Sequence, residues 1–144
     1  MQWMGLIIGG LIPAVVFGIG NVCSKLSAQA GIGMPWFMIL TGLAVTAVGI
    51  VSYLIVPDHA VSLRSGLYAA GLGLFWGLGT ALVAIALIKY KTPLSTIVPL
   101  YNMNTLVAVL ASLVIFAEWQ QVTVWKLLLG AVLVVVGGTL VALA

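Results

Sequence analysis

Tyr101, Asn102, Asn104 and Thr105 put two carboxamides and two hydroxyls within five consecutive positions of a stretch otherwise dominated by Leu, Val, Ile and Ala. In apolar surroundings such groups need hydrogen-bond partners or water. Pro99, just upstream, has no N–H, deprives the carbonyl of Ser95 of its helical partner and predicts a kink. On a continuous helix Tyr101, Thr105, Ala108 and Ser112 form one stripe with Asn104 beside it, while Ser95 and Asn102 mark a neighbouring stripe. Hydrogen bonds between helices, worth about 0.6 kcal/mol each, are the plainer use of these groups. Their concentration around a proline fits a wetted path for a solute better.

The elements that must carry this cluster follow from composition. Of 144 residues, 64% are hydrophobic and 5% charged, and the mean hydropathy is +1.34. Soluble domains are about 25% charged. The expected class is therefore an all-α integral membrane protein. Five basic and two acidic residues are too few, and too scattered, to bind a run of phosphates, so no nucleic-acid partner is expected. Charge, Pro and turn residues divide the chain into five apolar runs at about residues 3–27, 35–56, 65–88, 93–116 and 124–143, each near the length that crosses a bilayer. The links are short, so consecutive helices are expected to run antiparallel and pack side by side as a single five-helix transmembrane domain over residues 1–144. Trp3, Trp36, Tyr90, Trp119 and Trp125 fall near span ends, where amphipathic rings favour the headgroup region. The first run has no basic leader and reads as a retained helix, with Pro13, Gly18 and Gly20 as places where it can bend.

Further candidates lie outside the fourth run. Trp76 and Thr80, four residues apart, offer an aromatic wall and a hydroxyl to the same path, although core packing explains the pair equally well. Asn21 and Lys25 share a face by the same spacing. Lys25 is expected to snorkel to the interface, with contact to a substrate headgroup as the second reading. Asp58 is expected to cap the third helix, and Thr41 and Thr46 to bond back to their own helix. Glu118 is expected to cap the fifth helix or pair with Lys126, with coupling to protons the lesser role. No nucleophile, base and orienting group occur together, which argues against an enzyme. A lone Cys23 and a lone His59 supply neither a disulfide nor a metal site, and no cofactor is expected.

With five spans the termini face opposite sides. Arg64 and Lys126 then flank one face, and Lys25, Lys89 and Lys91 the other. So small a bias leaves two readings open, a weak preference for an outside N-terminus and insertion in both orientations.

The second half of the chain carries a recognisable succession. Ala81-Leu82-Val83-Ala84-Ile85-Ala86-Leu87 leads to Tyr90, then to Thr92-Pro93-Leu94-Ser95-Thr96-Ile97-Val98-Pro99-Leu100, to Phe116-Ala117-Glu118, and to Leu129-Gly130-Ala131 with Gly137-Gly138 following. This resembles the EamA-type five-helix repeat of the drug/metabolite transporter superfamily. Phe17-Gly18-Ile19-Gly20-Asn21 and Lys25 are similar, more loosely, to the repeat's first helix. The basic residue often found near the start of its second helix has no counterpart in Pro35-Trp36-Phe37-Met38-Ile39-Leu40-Thr41.

Most members of that superfamily fuse two inverted repeats. The resemblance therefore implies half of a transporter of small metabolites or drugs in a prokaryotic inner membrane, completed by an inverted second copy. An antiparallel homodimer is the expected partner arrangement, with membrane lipid around it and alternating access as the mechanism. A different five-helix partner, a dual-topology channel and a non-transporting scaffold or accessory subunit are the other readings.

Overall fold

The structure, a computed structural model, describes residues 2–120 and 122–143, with the backbone alone at Gln2 and Glu118. Among them the regular elements are all helical: α1 (Gln2–Leu6), a π-helical turn (Ile7–Leu11), α2 (Ile12–Gln29), α3 (Met34–Ile55), α4 (Leu63–Ile88), α5 (Leu94–Tyr101), α6 (Asn104–Ile115), a 3₁₀ turn (Glu118–Gln120) and α7 (Val124–Leu143). They compose five helices long and apolar enough to cross a membrane: Trp3–Gln29, Met34–Ile55, Leu63–Ile88, Leu94–Ile115 and Val124–Leu143. The shortest, at 20 residues, extends about 30 Å at 1.5 Å per residue, the thickness of a hydrocarbon core.

Local chemistry sets the irregularities and the ends. Pro13 stands in the first turn of α2, where its ring opposes the carbonyl of Gly9. The chain widens into the π turn just before it, and the Ile12 N–H donates to the carbonyl of Ile7. Gly18 and Gly20 lie within regular α2, so the departure from α geometry falls upstream of the expected glycines. At the other end of α2, Gly31 takes φ +87. The Ile32 N–H reaches back to the Ser27 carbonyl at 3.4 Å, a closing bond that favours glycine at the left-handed position. Val56 is extended ahead of Pro57, which ends α3.

Helix α4 starts two residues before the expected Ser65, because Ser62 and Ser65 form a reciprocal capping box. Asp58 is not the cap. Its carboxylate accepts from the Ala60 N–H at 3.1 Å and closes a turn within the link, while His59 lies against Tyr53 with ring centroids 4.2 Å apart.

The contacts divide the chain into two compact units, one through Lys91 and one from Thr92. In the first, α4 packs on both α2 and α3, and α2 makes little contact with α3 despite the short link between them. Ala84 and Leu87 of α4 and Phe37 of α3 are buried there. In the second, α7 packs on α5 and α6, with Leu113, Ala131 and Gly138 buried. Gly138 marks the closest approach: a Cβ there would lie 2.9 Å from the Pro99 carbonyl oxygen. Nothing stands within 4 Å of a Cβ at Gly137. Small residues permit such contact where van der Waals packing, in place of a hydrophobic drive, holds helices together.

Gly138→Ala should therefore destabilise the protein by about 1–3 kcal/mol, the usual cost of overpacking, and Gly137→Ala should be close to neutral. Unfolding midpoints of the two variants in the same detergent check this contrast.

Candidate functional site

The polar cluster of the fourth span coincides with a change of helical register. Pro99 lies inside α5, and the α geometry gives way after it at Asn102–Met103. The Met103, Thr105 and Leu106 N–H groups donate to the carbonyls of Leu100, Asn102 and Met103 at 3.1, 3.1 and 3.0 Å. These three-residue steps make a turn at Asn102–Met103 that winds more tightly than the α-helices on either side of it. The interruption sits near the midpoint of Leu94–Ile115, where a continuous helix would keep its backbone closed.

The tightening changes which side chains share a face. Across it the stripe drawn from Tyr101 through Thr105 no longer follows a constant α step. Asn102, Asn104 and Thr105 are exposed within their unit, and Tyr101 is half-buried. Thr105 opens onto a groove of ≈ 350 Å³ between α6 and α7, together with Val109, Lys126, Gly130 and Val134. Further along α6, the Ser112 hydroxyl donates to the Val109 carbonyl at 3.0 Å and is used locally.

In the first unit, Asn21 is half-buried on α2 and Lys25 lies one turn further on. Lys25 lines a cleft of ≈ 520 Å³ with Gln29 of the same helix and Lys91 beyond the end of α4. Trp76 is 48% exposed on α4. The Thr80 hydroxyl donates to the Trp76 carbonyl at 2.8 Å, so its proton is engaged within the helix and only its oxygen lone pairs face outward. Thr46 bonds in the same way to Gly42 at 2.9 Å.

The side chain of Glu118 lies outside the described residues. Among the described residues no group of three or more His, Cys, Asp or Glu could hold a metal, and no buried side-chain nitrogen or oxygen lacks a hydrogen-bond partner.

Three residues of these clefts, Gln29, Lys91 and Lys126, were not among the sequence candidates for the path. Lys91 lines the same cleft as Lys25 only because α2 packs on α4, a pairing of helices that are not consecutive. Neither spacing nor periodicity carries that information. Thr105 and Lys126 meet across α6 and α7, where the basic residue at the start of the fifth span was the available signal.

Comparison of the chain with protein-family models, with curated proteins and with solved structures finds no match.

Because Asn102 and Asn104 are exposed, Asn102→Leu and Asn104→Leu should each change stability by less than about 0.5 kcal/mol. Equal unfolding midpoints in detergent for the variants and the parent protein are the expected result.

Proposed function

We propose that this chain is a small secondary transporter of the drug/metabolite type, one EamA-like unit that moves a small metabolite or drug-like solute by alternating access in a prokaryotic inner membrane. The observation that carries the reading is the interrupted fourth span. Its register changes at Asn102–Met103, and two carboxamides and a hydroxyl stand exposed around the break. Irregular backbone at membrane depth is tolerated where it lines a cavity or is covered by protein, and solute sites in secondary transporters form at such interrupted helices.

On this reading Asn102, Asn104 and Thr105, with Tyr101, offer donors and acceptors without charge, suited to a zwitterionic or hydroxylated solute. Trp76 and Thr80 supply further wall, and Asn21 and Lys25 a polar approach nearer one face. A second copy inserted upside down supplies the other half of the path, because a unit with five spans inverts when duplicated in tandem. The distribution of Lys and Arg, with Arg64 and Lys126 against Lys25, Lys89 and Lys91, imposes little barrier to insertion either way up.

Purified protein reconstituted into liposomes should show saturable uptake of at least one member of a panel of labelled amino acids, sugars and drug cations. Asn102→Leu with Asn104→Leu should lower that flux at least about tenfold, as expected for losing polar contacts worth more than about 1.4 kcal/mol during passage. Absence of saturable flux across the panel would overturn the transport reading, and non-saturating flux far above carrier turnover would replace it with a channel. In a Cys23→Ser background, His59→Cys and Tyr90→Cys should each react with an impermeant thiol reagent from both sides of the membrane. Labelling of each from one side alone would remove the dual-orientation arrangement.

A further inference from the structure

We propose that the link between α3 and α4 is an interfacial anchor, with Val61 and Leu63 seated at the boundary between the headgroups and the acyl chains of the bilayer. This goes beyond the transport reading and holds whether or not the chain carries a solute. Val61 and Leu63 are 82% and 83% exposed, the highest values among the described large hydrophobic residues. They stand at the mouth of a helix, where a link running through water would carry polar side chains.

Helix lengths set the level of the link. The 26 residues of α4 extend about 39 Å and the 22 of α3 about 33 Å. A hydrocarbon core is about 30 Å thick, and the bilayer with its headgroups about 40–45 Å. Both helices outlast the core and end among the headgroups, so the link begins at that level. Arg64, next to Leu63, holds its guanidinium over the Tyr68 ring, 5.9 Å from the centroid. A cation on a long apolar stem and a phenol are side chains suited to the same layer.

The local geometry leaves the two apolar side chains bare. An apolar residue ahead of a helix cap commonly packs on the side chain four positions into the helix. Here the cap is Ser62, and that position is Gly66, where even a Cβ would only touch Val61 Cγ2 at 4.0 Å. Ser62 is extended, at φ -124 and ψ 159, which puts Val61 and Leu63 on one side while its hydroxyl serves the capping box. The polar side chains of the link are engaged within it or against α3: Asp58 accepts from the Ala60 N–H, and His59 lies on Tyr53. The link is thus held by its own bonds, and seating its apolar pair among the first methylenes of the acyl chains removes that surface from water.

The test compares single cysteines in a Cys23→Ser background, reconstituted into liposomes, for their rate of reaction with a charged methanethiosulfonate present on both sides of the membrane. Thiolate is the reactive form, and apolar surroundings oppose its formation, so Val61→Cys and Leu63→Cys should react at least about tenfold more slowly than His59→Cys. In the unsubstituted protein, a phosphatidylcholine with a diazirine beside its ester carbonyl should, on illumination, leave adducts at Val61 or Leu63, read by peptide mass spectrometry. This second measurement reports even where a cysteine variant fails to fold. Equal rates at the three positions, or a peptide without lipid adduct, would overturn the anchor. Slow thiols without a lipid adduct would assign the apolar pair to a protein contact, such as a second copy of the chain.

Discussion

Hydrocarbon offers no hydrogen bonds, so a chain crossing it must satisfy each peptide group from within its own segment or from a neighbour. Helices α2, α3, α4 and α7 meet that requirement over 18 to 26 residues each. The hydroxyls of Thr46, Thr80 and Thr139 donate to carbonyls four residues back, disposing of their own protons without recruiting another helix. Among the described residues departures from this closure are few, and the two within membrane-length helices belong to helices that contain a proline. The first span widens ahead of Pro13, and the fourth tightens after Pro99.

The two prolines are accommodated differently. At Pro13 the chain adds a residue to the preceding turn, consistent with the steric demand of the ring on the carbonyl four residues earlier. At Pro99 the chain stays helical, and the carbonyl of the proline lies against Gly138 of α7. That contact has no room for a side chain, so α7 holds one flank of the interrupted span while Asn102 and Asn104 remain outside the packing. In this way the structure combines a fixed backbone with exposed polar side chains.

Five membrane-length helices were legible because span length and apolar composition are one-dimensional properties, set by the bilayer and written into consecutive residues. Their ends were legible to within a turn, and the errors have local causes: Ser62 with Ser65 out-competes Asp58 as the start of α4 because the reciprocal pair satisfies two backbone donors at once. The polar cluster was visible as composition, but its facing was not. A wheel at constant angle cannot anticipate the three-residue bonds at Met103, Thr105 and Leu106. Contacts between non-consecutive helices, such as the packing of α2 on α4 that puts Lys25 and Lys91 on one cleft, depend on which faces pack and leave no periodic trace.

The widened turn at Ile7–Leu11 changes how the beginning of the chain is to be aligned with anything else. A π turn is equivalent to one residue inserted into an α-helix, so Trp3, Met4 and Leu6 are rotated by about 100° from the directions that extrapolating α2 backwards would assign them. Loss of a single residue between Ile7 and Leu11 would swing the first turn of the protein round to a new azimuth and leave every later side chain where it is.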